Sequence, residues 1–212
     1  MAPIYWFEKF FQVQRHCEFI LKSAPQPRQA LRTRLLEARE QFVAGSIAAE
    51  AGASLTRHLV EVLSALEPEV LGLYWPHRSE FNAVAALAAD SMLAKLPINA
   101  SLALPFVQRA PVRMHYRTWD GQPPTLVDDC GIPASAGAPV LPDVVLVPCV
   151  GFTPGGYRLG YGGGYFDRWL AQHPGMTAVG VAWAIGQIDA AAFDAQPHDQ
   201  PLTLIVTEHG VA

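Results

Sequence analysis

The stretch LPDVVLVPCVGFTPGGYRLGYGGGYFDRWL, residues 141–170, decides how this chain is read. Residues 143–147 form a short Val-rich apolar run, the pattern of a buried strand. Residues 148–164 are crowded with glycine and punctuated by Pro154 and Gly155, so they read as a loop. A helix is expected from Tyr165, with Asp167 and Arg168 in its first turn. Strand, glycine loop and helix N-terminus in that order make a place to hold phosphate. Backbone N–H groups converge on an anion there, and the helix dipole favours negative charge. Gly160, Gly162, Gly163 and Gly164 let the backbone come close, while Arg158 and Arg168 add forked cationic donors. Asp167 is a hard oxygen ligand beside that positive region, suited to holding Mg²⁺ against phosphates. The P-loop and Rossmann patterns are both absent. From these residues alone an anion site and a purely structural loop both stay open.

Outward from this stretch, helix and strand signals alternate. Residues 28–43 read as a helix with Leu31, Leu35, Ala38 and Phe42 on one face and Arg28 and Arg32 one turn apart. A second amphipathic helix is expected over 55–66, with Leu55, Leu59, Val62 and Leu66 facing the core and Pro68 ending it. Residues 70–74 read as a strand, 75–80 as its loop, and 81–93 as an Ala-rich helix capped by Asn82 or Ser79. Short strands are expected at 101–104 and 112–116, where Arg113, Tyr116, Arg117 and Trp119 line either a ligand mouth or a sheet edge. Residues 121–142 read as a long irregular excursion, and 177–182 and 202–206 as the last strands. The alternation predicts an α/β three-layer sandwich with a mostly parallel central sheet and a site at the strand ends. One domain over 28–212 is expected, preceded by an extension over 1–27. In that extension Tyr5, Trp6, Phe7, Phe10 and Phe11 are broken up by Glu8, Lys9 and Arg15, which does not match a secretory signal.

The 212 residues suffice for one domain with a sizeable core, and half of them are hydrophobic. A formal net charge of −4 argues against a broad nucleic-acid surface. Cys17, Cys130 and Cys149 are odd in number and scattered, which fits a reducing, cytoplasmic compartment better than a disulfide framework. No apolar run approaches the ~20 residues of a membrane-spanning helix. None of the seven histidines falls in HExxH or a paired-Cys metal spacing.

The run GYRLGYGGGYFDRWL, residues 156–170, resembles the signature of the 5-formyltetrahydrofolate cyclo-ligase family, the methenyltetrahydrofolate synthetases. That family shows Gly-x-Arg-Leu-Gly-x-Gly-x-Gly-Tyr-Tyr-Asp-Arg after a strand ending in Val-Pro. The match runs through Gly156, Arg158, Leu159, Gly160, Gly162, Gly164, Tyr165, Phe166, Asp167 and Arg168. Arg28, Leu31 and Arg32 resemble the family's N-terminal basic element, and the His198–Asp199 dipeptide with Thr207 and Glu208 resembles its C-terminal end.

The resemblance implies a fold like that of sugar-phosphate isomerases and CoA-transferases. It also implies conversion of 5-formyltetrahydrofolate and ATP into 5,10-methenyltetrahydrofolate, ADP and phosphate. By the same resemblance Arg158 and Tyr165 are catalytic. ATP is held by Arg28, Arg32, Arg158, Leu159, Gly160, Tyr161, Gly162, Gly163, Gly164, Tyr165 and Phe166. The folate is held by Trp75, Glu80, Tyr161, Gly162 and Gly164, and Mg²⁺ by Asp167 and Asp199. Neither a nucleic acid nor a membrane is an expected partner, and a monomer is expected. Replacing Arg158 or Asp167 by Ala is expected to cut turnover and leave the fold intact. Two departures stand out. Gly163 occupies a position where many relatives carry Lys, and Ala134–Ser135 stands where Glu-Pro is usual. They leave room for a catalytically weakened binding paralogue. A phosphosugar isomerase or transferase on a related scaffold is the other alternative.

Overall fold

The computed structural model describes residues 27–95 and 100–212, so the expected N-terminal extension lies outside the described residues apart from Pro27. Helix α1 (Arg28–Val43) starts immediately after Pro27, whose fixed φ suits a helix entry. It buries Leu31, Leu35 and Arg39. Helix α2 (Ala48–Leu66) begins seven residues before its expected start and ends at Glu67 in the left-handed conformation (φ 45°), just before Pro68. Its fully buried row is Leu55, Leu59 and Leu63, a strict four-residue repeat; Val62 and Leu66 flank it instead of centring it.

Strand β1 (Val70–Gly72) follows, two residues shorter than expected, although the Leu73 amide still bonds Ala103 O at 2.8 Å. The helix expected over 81–93 is two pieces, α3 (Ala83–Ala89) and α4 (Met92–Lys95), broken at Ser91 with φ 58°. Asn82 caps α3 by accepting from the Ala85 amide at 3.0 Å. Strands β2 (Ser101–Arg109) and β3 (Val112–Trp119) form one long antiparallel hairpin through the cis Ala110–Pro111 bond, and both outrun their expected lengths. Pro105, expected between strands, lies inside β2. Ser101 donates to Glu69 O, and Leu73 donates to Ala103 O, so the odd-numbered amides of β2 face β1. Pro105 comes next in that series, beyond the end of β1, where no ladder bond is lost.

The excursion after β3 contains a small hairpin of β4 (Leu126–Val127) and β5 (Pro133–Ala134), then β6 (Pro139–Val140). Strand β7 (Val144–Pro148) opens the glycine stretch, which itself contains the hairpin β8 (Gly151–Phe152) and β9 (Arg158–Leu159). Helix α5 (Tyr165–Gln172), strand β10 (Thr177–Val181), strand β11 (Leu204–Thr207) and strand β12 (Gly210–Val211) complete the chain.

The main sheet runs β12-β11-β10-β7-β1-β2-β3-β6. Its five central strands, β11 to β2, pair in parallel, and the outer pairings are antiparallel. Alternate residues of β7 feed opposite cores. Val144 and Leu146 pack with α2 and α3, whereas Val145 and Val147 pack with Trp169 and Leu170 of α5. These are the three expected layers. A smaller cluster of Leu31, Leu35, Val150, Leu159, Ile188 and Phe193 docks α1 against the loop after β7.

The crossover from β1 leads to β2, and the crossover from its neighbour β7 leads the opposite way, to β10. Adjacent strands whose connections diverge leave a crevice at their carboxyl ends, the place where open α/β sheets bind ligands.

Candidate active site

A cleft of about 480 Å³ opens at that crevice. Segments that follow β1 supply Tyr74, Trp75, His77 and Glu80, and segments that follow β7 supply Pro148 and residues 158–167. Helix α1 contributes Arg28 and Arg32 from far away in sequence, and the loop before β11 contributes His198 and Asp199. Every residue that the family resemblance assigns to ATP, folate or Mg²⁺ therefore lines this one cleft, including Leu159, whose side chain is buried; Arg168, expected as a second cation of the anion site, does not, and its Nη2 donates to Gly163 O.

The glycine loop is drawn onto α1 by one bond. Arg32 Nε donates to Gly160 O at 2.7 Å, while its Nη1 donates to Gln29 Oε1 at 2.7 Å. Gly162 sits at φ 99°, and a β-carbon there would lie 3.4 Å from the Arg32 guanidinium. Glycine is required at this position for its dihedral, and the contact with Arg32 is an ordinary van der Waals one. Gly164, at φ 60°, turns the chain into α5. At Gly163 the space of a β-carbon is filled by the Tyr165 ring at 2.7 Å. A lysine at 163 therefore needs that ring to swing away.

Three arginines reach the cleft, and they are not equivalent. Arg28 grips both oxygens of Asp199 and also donates to Asp194 O at 2.8 Å. Its hydrogen bonds to Asp199 hold the Arg28 pKa above its ordinary value, against the effect of burial. Burial alone pushes the Asp199 carboxyl up, but Arg28 and the Gln196 amide outweigh it and hold it below the usual carboxylate range. Arg158 is sunk beneath the loop with its side chain 5% exposed, and it donates to Asp167 Oδ2 at 2.9 Å. Its guanidinium lies 5.3 Å from the centre of the Phe166 ring, and its Nε is buried without a hydrogen-bond partner. Arg32 has no carboxylate partner among the described residues; burial and the neighbouring Arg28 cation lower its pKa. It is the cation left available for an anionic ligand.

The metal expectation divides in the same way. Asp167 keeps Oδ1 nearly free, with only the Gln200 amide at 3.5 Å, so this oxygen fits a magnesium ion that also takes phosphate and water ligands. Both oxygens of Asp199 are taken up by Arg28 and by the Gln196 amide at 2.7 Å. Its geometry is that of a residue orienting Arg28, not of a second metal ligand. No cluster of three or more His, Cys, Asp or Glu side chains occurs among the described residues.

On the other side of the cleft, Glu80 accepts from the His77 amide at 2.7 Å, and burial pushes its pKa up to about 7 despite that bond and the nearby Arg39 and Tyr161. Trp75 meets Trp119 edge-on at 6.2 Å and forms an aromatic wall. Arg39 of α1 is buried nearby, 2% exposed, against Ser79 and Tyr161.

Several lining residues carried no signal in the sequence. Pro105, Val107 and Met114 present the apolar face of the β2–β3 hairpin to the cleft; alternation with Arg113, His115 and Arg117 marks that face as buried without saying that a ligand cleft borders it. Tyr116 shares their face one layer deeper, where it packs against Trp169 at 5.1 Å, so it does not form the mouth. Arg117 stacks on Phe106 on the opposite face. Cys130 and Ile132 enter because Asp128 folds their loop, its Oδ1 accepting both amides at 2.8 and 3.0 Å. Ser135 is structural: it donates to Thr118 O and accepts from the Gly137 amide at 3.0 Å.

The profile of the 5-formyltetrahydrofolate cyclo-ligase family matches residues 24–208, nearly the whole chain. The chain belongs to that family. A 5-formyltetrahydrofolate cyclo-ligase of Haemophilus influenzae is 27% identical over 175 residues, which cover 77% of this chain and 89% of that enzyme. The Mycoplasma pneumoniae cyclo-ligase is 40% identical over 67 residues, 31% of this chain and 39% of that enzyme. Among solved structures, a 5,10-methenyltetrahydrofolate synthetase from Aquifex aeolicus superposes with a TM-score of 0.65 at 27% identity, over 87% of this chain and 91% of its own. One from Mycoplasma pneumoniae gives 0.65 at 22% identity, over 86% and 99%, a likeness of fold. The family signature found in the sequence is thus the glycine loop that closes one side of the cleft. No helix among the described residues is long and apolar enough to cross a membrane.

Proposed function

We infer that this chain closes 5-formyltetrahydrofolate to 5,10-methenyltetrahydrofolate at the expense of ATP, with release of ADP and phosphate. The observation that carries this reading is the convergence of α1, the glycine loop, the segment after β1 and the loop before β11 on a single cleft. The chemical difficulty is the formamide oxygen, a poor leaving group. That oxygen attacks the γ-phosphorus and ADP departs, which leaves an imidate phosphate. The N10 lone pair then closes on the activated carbon, the carbon–oxygen bond breaks, phosphate leaves, and the N10 proton is lost.

No protein nucleophile is needed for this, so catalysis consists of positioning and charge stabilisation. Arg32, free of a carboxylate, takes the phosphate charge together with loop amides from Gly160 to Gly164. Arg28 and Arg158, each bound to an aspartate, brace the two ends of the phosphate site. Asp167 would hold Mg²⁺ through its nearly free Oδ1, and the ion would supply neutralisation of charge on the phosphates. Glu80 and Trp75 take the folate ring, and Tyr161 and Tyr165 stand between the two substrates. The protein is expected to act as a monomer. The thiols of Cys130 and Cys149 are unpaired, which suits a cytoplasmic setting.

The test is methenyl formation, followed by its near-ultraviolet absorbance, with Mg-ATP and 5-formyltetrahydrofolate. Turnover that requires both substrates supports the reading. Binding of both without turnover identifies a weakened paralogue, the outcome that the glycine at 163 leaves room for. Turnover of a phosphorylated sugar or thioester without ATP identifies the other alternative.

A further inference from the structure

Arg39 is buried on α1, two turns beyond Arg32, and it does not line the cleft. Its Nε donates to Ser79 Oγ at 3.0 Å, and its Nη2 donates to the hydroxyl of Tyr161, whose ring centre lies 5.7 Å from the guanidinium carbon. Ser79 is held from its other side as well, because its carbonyl accepts from Trp183 Nε1 at 3.2 Å. A guanidinium can only donate. The Tyr161 oxygen must therefore accept from Arg39 and direct its single proton elsewhere. The acceptors within reach are the Glu80 carboxylate and, at 3.4 Å, the His77 carbonyl.

We propose that Arg39 is a positioning residue: it ties Tyr161 of the glycine loop to Ser79 of the substrate loop and thereby fixes Glu80 for the folate. The proposal rests on Glu80 being the folate carboxylate. Arg39 is thereby separated from Arg28 and Arg32, which share its helix but face the phosphates. The groups that face Glu80 are Arg39 from α1, Tyr161 from the glycine loop, His77 and Tyr74 from its own segment, and the Cys149 thiol beyond β7. Among them Arg39 is the cation, so its removal leaves the ionised carboxylate less supported.

The experiment compares wild type, Arg39→Met, Arg39→Lys and Tyr161→Phe. It reads the Glu80 carboxyl titration by carbon-13 NMR, and it measures KM for each substrate together with kcat. In Arg39→Met the titration midpoint moves upward and KM for 5-formyltetrahydrofolate rises about tenfold or more, the loss expected for one hydrogen bond to a charged group. KM for ATP stays within about twofold, a change of less than half a kcal/mol. Arg39→Lys restores the midpoint but not KM, because one ammonium cannot span Ser79 and Tyr161. Tyr161→Phe, which keeps the buried cation, also moves the midpoint upward, and it decides the matter if Arg39→Met does not fold. An unmoved midpoint in Arg39→Met, or in Tyr161→Phe, overturns the proposal. So does a rise in KM for ATP with none for the folate. Failure of the wild type to form methenyl product defeats the functional reading instead, while the titration comparison still decides the positioning.

Discussion

Arg158→Met is the substitution whose consequence the structure changes most. From sequence alone Arg158 reads as a phosphate ligand that can be replaced without harm to the fold. In the structure its side chain is 5% exposed and bound to Asp167, which is itself 16% exposed. Removing one partner of such a pair leaves a charge without compensation in a poorly solvated place, at a cost of ~3–5 kcal/mol when burial is complete. Asp167 can partly rehydrate, so about 3 kcal/mol is the reasonable figure. For a domain of this size that corresponds to a fall of roughly 6–12 °C in Tm. Met keeps most of the volume against Phe166, so the loss reports charge rather than a cavity. The assay is thermal and urea unfolding of Arg158→Met, Asp167→Leu and the double variant. The double variant, with neither charge present, should recover most of the stability while remaining inactive. A single variant that melts within about 2 °C of wild type refutes the reasoning, because the pair would then carry no stability. So does a double variant no more stable than the two losses added together.

The remaining predictions concern the cleft itself. Glu80 carries a pKa raised to about 7, so the folded state holds its proton more tightly than the unfolded chain does. Its contribution to stability is full below the unfolded value of 4.5 and is lost as pH rises toward 7. Glu80→Gln should therefore gain on wild type by up to about 3 kcal/mol between those limits, and a difference that does not vary with pH rejects this. Arg32→Ala should raise KM for ATP by about tenfold or more, as expected for loss of a charge-assisted hydrogen bond, with a much smaller change in Tm. Unchanged ATP affinity in a calorimetric titration would remove Arg32 from the phosphate site. Gly163→Lys must displace the Tyr165 ring, so it should lower stability by about 1–3 kcal/mol, the usual range for overpacking, whatever it does to ATP binding; an unaltered melting curve argues against it.

The parts of the chain that were legible are those where one residue type has one physical use. The Val-rich run of β7, the glycines before α5 and the apolar starts of the α1 and α2 faces at Leu31 and Leu35 and at Leu55 and Leu59 carry their own geometry, and the three-layer arrangement follows from their alternation. Asn82 was a recognisable cap because its side chain meets the orphan amide of Ala85. What escaped was settled by partners distant in sequence. Nothing near Arg28 announces that Asp199 will occupy it, and nothing near Asp199 distinguishes a metal ligand from an arginine clamp. Leu63 takes the buried place expected of Val62, because the row that faces the sheet continues from Leu55 and Leu59 at four-residue steps, while Val62 and Leu66 flank it. The wall formed by Pro105, Val107 and Met114 lies on the apolar face of a hairpin whose other face carries Arg113, His115 and Arg117; the alternation marks that face as buried but does not say that its outer end meets a cleft built by distant loops.

The divergent crossovers from β1 and β7 also bear on how two substrates meet. The loops that serve them are rooted on neighbouring strands, and adjacent strands in any sheet lie about 4.8 Å apart. The roots of the two binding loops are thus held at ladder spacing. An acceptor oxygen and a phosphorus atom are then brought together by long side chains that reach across from loops seated on two adjoining strands.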